Sequence, residues 1–402
     1  MNSRKKRRVY QRAMGLIMLM TIIVASSSLL RADTGTCGGA STTLPFTDVA
    51  AANVFFCSIA EAFFSGLTNG TSPGAYSPAT NVTREQMAAF VTRTMDQSVK
   101  RGSNRTILDQ NWTIQGANNL ALTTVGDYPQ FLKSDGSAVW VANRFGNTVS
   151  QVRASDGKVL DTWTGANMAY AVLCALGKVY VTGLTVPSAL YEIDPTQPAG
   201  PVTVLSTNIG IFPSSIAYDG QRIWTANPGG PSVSIVTLNP VTVTNVSAGF
   251  SSPQGIIYDG TNIWVADDIA GSVDKLHKLD SSGNILLSVD VGTRPRLPAF
   301  DGTNIWVPNE SSNTVSVMRA STGIVLATLG GNGLNSPFQA AFDGERVIVT
   351  NLGGDSVSLW KASDFTPIGS FSTGADTFPY GVCSDGLYFW IVLSETDRLA
   401  RF

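Results

Sequence analysis

Short apolar runs alternate with polar turns from Tyr128 to the end of the chain, and the alternation itself repeats. The stretch Phe300 to Met318, FDGTNIWVPNESSNTVSVM, shows the unit. Periodicity at roughly 20–50 residues decides the fold before any finer reading. With the Asp of the Asp-Gly pair as position 0, the unit falls at Asp135, Asp219, Asp259, Asp301, Asp343 and Asp385. Ala175 holds the same place in a degenerate copy, and successive anchors lie 40, 44, 40, 42, 42 and 42 residues apart, so there are seven copies. A proline stands six residues before the anchor in six copies: Pro129, Pro213, Pro253, Pro295, Pro337 and Pro379. Five after it come Trp140, Tyr180, Trp224, Trp264, Trp306 and Trp390, with Ile348 in the remaining copy. Eight after it come Asn143, Asn227, Asp267, Asn309 and Asn351. From position 12 a polar–apolar alternation follows, as in NTVSQ from Asn147, GSVDK from Gly271 and NTVSV from Asn313.

Each unit reads as four short strands. Proline lacks an N–H and suits the first residue of a strand. Asp-Gly supplies a tight hairpin. The second run, such as NIWVP, is apolar and aromatic like a buried strand, and the third alternates with period two. A Ser-Thr-Gly or Ser-Asp-Gly turn leads to the fourth. Four strands per unit of about 42 residues predict the blades of a β-propeller. The last copy ends at Phe402 after three strands, while LALTTVG (Leu120–Gly126) stands before Pro129 much as VLATLGG stands before Pro337. The expected fold is mainly β: a seven-bladed β-propeller, its last blade closed three-plus-one by the N-terminal strand. Closure of this kind leaves no free sheet edge between blades.

Composition changes the picture at the N-terminus. The first twelve residues carry Arg4, Lys5, Lys6, Arg7, Arg8 and Arg12, and an apolar run follows from Ala13 to Leu30. That is a secretory signal pattern, cleaved near Ser27 or Ala32 or retained as an anchor. Removing residues 1–27 takes six positive charges and no acids, leaving 27 − 6 = 21 against 29, a net of about −8. An acidic exported chain argues against nucleic acid as a partner. Contact with a membrane is expected only through the N-terminal segment, if that is retained. Cys37 and Cys57 can pair in an oxidising compartment. Cys174 and Cys383, on the first strands of blades two and seven, read as single buried thiols.

Residues 46–95 read as a small α-helical unit. Phe55, Ile59, Ala60 and Phe63 share one helical face ended by Gly66, and Asn81 or Thr83 caps a second helix from Arg84 with Met87, Phe90 and Val91 inward. The motifs Phe46-x-Asp48-Val49, Ile59, Gly66-Leu67-x-x-Gly70, Tyr76-x-Pro78 and Val82-Thr83-Arg84-Glu85 resemble an S-layer homology (SLH) domain. The resemblance implies attachment to cell-wall polysaccharide, with Arg84 as the key contact and Thr83, Glu85 and Asp48 around it. A guanidinium fork pairs bidentately with a carboxylate on such a glycan. That Arg84 instead caps or pairs within its own helix stays open. The expected organisation is 1–32 signal or anchor, 41–98 SLH-like domain, 99–116 linker and 117–402 propeller.

The blade pattern, especially VWVANRFGNTVSQVRASDGKVLDTW (Val139–Trp163), resembles YVTN-type propeller repeats of surface-layer and periplasmic proteins. The fold hosts both enzymes and passive binders, so it implies no activity. The tryptophans read as packing between blades and the asparagines as braces in the turn to the third strand. His277 is the only histidine, read as an exposed side chain on or after a third strand. Streptogramin-cleaving lyases share a seven-bladed propeller but work with paired histidines, and one does not make a pair. No nucleophile elbow, P-loop or metal-ligand spacing occurs, so no catalytic residue, cofactor or metal is expected. Arg294 and Arg296, flanking Pro295, are the candidate contacts for an anion or glycan at the propeller face. The expectation is an exported protein of the cell surface that docks to envelope polysaccharide, its propeller a binding or scaffold module for a protein or glycan. The alternative is an extracellular lyase or hydrolase with its site at the channel mouth.

Overall fold

The computed structural model describes residues 33–37, 40–64, 68, 70–72, 74–81, 87 and 120–402. The chain divides into two compact units, Met1–Ile107 and Leu108–Phe402. The signal segment, the linker 99–116, and Thr83, Arg84 and Glu85 lie outside the described residues.

The described part of the first unit is a hairpin of Thr34–Cys37 with Ala40–Thr43 and a helix, Phe56–Phe64. The hairpin was not expected in a helical unit. Leu44, Phe46, Val49, Phe56, Ile59 and Ala60 form the core, with Phe63 and Tyr76 packed on it. Phe46 sits at its centre, 5.2 Å from the Phe63 ring and 5.4 Å from Tyr76. Phe55 precedes the helix and is 64% exposed, so Phe56 takes the inward place expected of Phe55. Met87, expected inward, is 51% exposed. A disulfide joins Cys37 to Cys57, tying hairpin to helix.

The second unit is seven four-stranded antiparallel sheets, and their order follows the repeat. Six sheets are consecutive in sequence, from Pro129–Thr164 to Pro337–Ser372. The seventh takes Pro379–Ser384, Phe389–Leu393 and Arg398–Arg401, then Ala121–Thr124 from the front of the unit. The borrowed strand runs antiparallel in the expected register, Ala121 facing Arg401 and Thr124 facing Arg398. The unit is therefore a seven-bladed propeller closed three-plus-one.

Each interface between blades has its own core built around the residue at position 5. Trp140 packs with Val172 and Val179 of the next blade, Trp306 with Val347 and Val349, and Trp390 with Val139 and Val141 across the closure. Each of these tryptophans is fully buried. Their indole N–H groups find partners in the anchor aspartates. Trp140 donates to Asp135, Trp224 to Asp219, Trp264 to Asp259, Trp306 to Asp301 and Trp390 to Asp385, all at 2.7–2.8 Å. The same carboxylates accept the amides two and three residues on, so the anchor closes its own hairpin. The next residue is the glycine that must turn left-handed, as at Gly136 with φ 95°. The exceptions fit this pairing. Blade two lacks both Asp and Trp, and in blade six Ile348 replaces the indole while Arg346 pairs with Asp343. Burial pushes the Asp135 and Asp219 carboxyls up, but the indole and backbone donors outweigh it and hold both below the ordinary value.

The opposite face is held by a second device. The residue seven before the anchor is left-handed in six blades: Tyr128, Met168, Phe212, Arg294, Ser336 and Phe378. Such a conformation disfavours bulky side chains. In every case its N–H is gripped by a side chain of the preceding blade. The grips are Asp397, Asn147, Ser188, Asp274, Asn313 and Asp355, at 2.7–3.1 Å. The seventh place has Pro231 where the gripping side chain belongs, and there Ser252 is not left-handed. Asp397 to Tyr128 closes the ring a second time, across 269 residues.

Blade four departs from the expected register. Its third strand is Lys275–Leu279, with Val265 facing His277, rather than a run from Gly271. Three extra residues in the loop before it shift the alternation, which puts Asp274 in the gripping place and His277 where other blades carry Ser150, Ser234, Ser316 or Ser358.

Candidate functional site

A site on a repeat protein shows where backbone position is constant and residue chemistry is not. Two rings meet that description at the end of the axis away from the Asp-Gly turns. Five residues before the anchor stand Gln130, Tyr170, Ser214, Gln254, Arg296, Phe338 and Tyr380. Nine after it stand Arg144, Leu184, Pro228, Asp268, Glu310, Leu352 and Ser394. At position 8, one residue earlier, four copies agree: Asn143, Asn227, Asn309 and Asn351 each donate to two hydroxyls of the third strand, such as Thr148 and Ser150. The braces thus bind side-chain hydroxyls of that strand.

The floor of the mouth is aromatic. Phe131, Tyr170, Leu297 and Phe338 are buried together with Tyr380 packed on them, so side chains from opposite blades meet on the axis. The Phe131 and Phe338 rings are 6.2 Å apart, and Phe338 and Tyr380 4.3 Å apart. Below this plug runs an axial cavity of about 450 Å³ lined by first strands, including Lys133, Cys174, Tyr218 and Cys383. Both cysteines are free, as expected, with Cys383 buried and Cys174 half-buried. Burial pushes the Cys174 thiol up to about 12 and raises Cys383 too, so neither is a thiolate nucleophile at neutral pH.

One side of the mouth is charged. The Arg296 Nε pairs with Glu310, its Nη1 donates to Gln254 at 2.9 Å, and its plane lies 5.4 Å over the Phe338 ring. Arg294 reaches Glu310 at 3.3 Å and Asp268 at 3.8 Å. The sequence singles out both arginines by their charge and their place beside Pro295. It did not reveal that acids at position 9 of two blades already match their charge, nor that Arg296 is only 11% exposed against 47% for Arg294. Burial, reinforced by Asp274, pushes the Asp268 carboxyl above its ordinary value, and the two arginines only partly oppose this.

The other side holds one cation among phenols. The Arg144 guanidinium lies 5.3 Å from the Phe145 ring centre and 5.9 Å from that of Tyr170. Tyr170 and Tyr380 share a hydroxyl contact of 3.2 Å, and Tyr128, stacked 4.6 Å from Phe145, donates to Glu395 at 3.3 Å. Burial raises all three phenols, so they remain O–H donors.

His277 is not exposed, as the sequence reading had it, but 4% accessible. The loop insertion turned a strand position thought to face solvent into the inward serine position. Its Nδ1 meets Ser288 at 2.8 Å, its Nε2 stands 3.5 Å from Asp267, and Phe250 packs edge-on against the ring. Asp267 itself accepts the amides of Ser251 and Ser252. This is an internal brace of blade four. Among the described residues no group of three or more His, Cys, Asp or Glu is placed to hold a metal ion.

In the first unit, both Asp48 oxygens accept backbone amides, from Tyr76 at 2.8 Å and Ser77 at 2.6 Å. Burial pushes the carboxyl up, yet these bonds hold it below the ordinary value. Asp48 here closes its own loop.

No known family matches the sequence, and no curated protein matches it. Solved structures do. Virginiamycin B lyase from Staphylococcus aureus is 16% identical at a TM-score of 0.58, covering 70% of this chain and 98% of that one; a catalytically inactive histidine-to-alanine variant of it with quinupristin matches equally. A streptogramin B lyase follows at 14% and 0.55, covering 71% and 98%. Hydrazine synthase from Kuenenia stuttgartiensis gives 17% and 0.57, covering 69% and 96%. At such identities the likeness speaks for the fold alone, and that fold is a seven-bladed β-propeller.

Proposed function

We propose that this is an exported cell-surface protein whose SLH-like unit docks to envelope polysaccharide through Arg84 and whose propeller binds a ligand at its axial mouth. The observation that carries the propeller half is the contrast between constant braces and variable rings converging on one mouth, with aromatic surface on one side and ion pairs on the other. Such a mixture of apolar wall and a few placed polar groups suits a binding site. The docking half rests on the SLH motifs, and the signal pattern and the Cys37–Cys57 disulfide support an oxidising, exported setting. Two experiments test the halves separately. Wild-type protein should be retained on purified cell-wall polysaccharide and Arg84→Ala should not; equal retention removes the docking reading. With fluorotyrosine incorporated, the Tyr128, Tyr170 and Tyr380 signals should move on adding a fraction of solubilised envelope material. If no fraction moves them, the mouth is not a binding site.

The second reading is an enzyme, favoured by the lyase likeness. In one of those lyases replacing a histidine by alanine abolishes catalysis, whereas the single histidine here is buried in a brace away from the mouth. Linearisation of quinupristin by the purified protein would reverse the order of the two readings; unchanged substrate keeps it.

A further inference from the structure

Deepening the binding reading above, and resting on it, we infer that the mouth recognises a carboxylate on an aromatic or apolar body, with Arg144 as its counter-charge. The mouth holds three guanidinium groups, and two are already matched by Glu310 and Asp268. Arg144 has no acid partner among the described residues, and its Nε is buried without any hydrogen-bond partner. A buried donor left unmade is costly, while a charge-assisted bond to a carboxylate is among the strong ones. Glu395, an acid at the rim, is engaged by the Tyr128 hydroxyl.

The groups around Arg144 complete the chemistry. Tyr170 and Tyr380 share one contact between two hydroxyls, which uses one proton and leaves the other for a third group. The half-exposed Phe145 ring stacked on Tyr128 offers an apolar platform beside the guanidinium. A planar carboxylate on Arg144, with a phenol O–H on its second oxygen and its body on Phe145, satisfies the unmade donors without disturbing the Arg296–Glu310 pair. Neutral ligands of the same shape leave the guanidinium as it is.

The test uses the full chain with benzoate as probe and benzamide as its neutral counterpart, read by ligand-observed NMR and calorimetry. Benzoate should bind saturably, and benzamide at least about tenfold more weakly, as one charge-assisted bond implies. Arg144→Gln should weaken benzoate by about the same factor and leave benzamide unchanged. Arg144→Lys, which keeps charge but loses the fork, should fall between. Arg153→Gln, an exposed arginine paired with Asp156 on blade one, should change nothing. Equal binding of benzoate to wild type and Arg144→Gln overturns the inference, as does the absence of saturable benzoate binding. If both probes bind alike and Tyr380→Ala abolishes both, the mouth is still a binding site and only the carboxylate assignment fails. Should Arg144→Gln not fold, the benzoate–benzamide ratio in the wild type and in Arg144→Lys decides the matter.

Discussion

The two faces of the propeller solve the same problem by opposite means. At the Asp-Gly face, one bond between a part-exposed aspartate and a buried indole recurs in five blades at nearly one distance. At the mouth, six grips between neighbouring blades each hold a backbone N–H, but the accepting side chain is Asp, Asn or Ser and the gripped residue changes, from Asp397 on Tyr128 to Ser188 on Phe212. Between those grips stand rings whose members range from aromatic and aliphatic to acidic and basic. The first face keeps sequence because packing and hydrogen bonding demand one answer. The second needs only a backbone N–H to be held, so side chains above it are free to diverge into chemistry.

Trp306→Ala should strike hardest, since it empties a buried interface and removes one of the donors on the Asp301 carboxylate. A loss of about 3–5 kcal/mol is expected in urea unfolding, and a loss below about 1 would break the contrast at its strong end. Asp397→Ala comes next. It should cost about 1–3 kcal/mol by freeing the Tyr128 amide, and Tyr128→Gly in that background should recover part of it by taking the left-handed conformation without strain. Failure of the double variant to recover would mean that the grip does not hold the strained residue.

Asp268→Asn tests the mouth with the sign reversed. The folded carboxyl lies above the ordinary 3.8, so its charged form disfavours folding at pH above the folded value; the penalty fades as pH falls from that value towards 3.8 and is gone below it. The variant should melt higher than wild type at pH 7 and together with it at pH 3; a lower melt at pH 7 would show that Asp268 is held as a needed partner of Arg294. Arg144→Gln should move stability least, within about 0.5 kcal/mol, because its guanidinium makes ring contacts but no hydrogen bond or ion pair among the described residues. A larger loss would return it from binding to structure.

These contrasts mark how far the sequence could be read. Seven copies, their boundaries, the buried tryptophans and the borrowed strand at Ala121–Thr124 follow from spacing, because each is a demand every blade makes. The Asp–Trp bond was not read from spacing alone, although Asp and Trp vanish together in blade two. The mouth was not legible, because the divergence of position 9 means nothing until the strands show that it faces the axis. Arg144 stands one residue after a brace that the repeat displays plainly, and only the neighbourhood of Tyr170 makes it more than a loop arginine. His277 was misplaced by three inserted residues that no periodicity corrects. Phe55 and Phe56 show the limit of helical periodicity in a helix of nine residues, where a shift of one changes which ring is inward.

The sheet that takes its outermost strand from the front of the unit has a consequence for damage. Its two ends latch one another, by the ladder from Ala121 to Arg401 and by the carboxylate of Asp397 on Tyr128. A protease that removed the last few residues would therefore not shave an edge. It would release a strand nearly three hundred positions away, uncover the interface around Trp390, and turn a closed ring into an open arc with two sticky sheet edges.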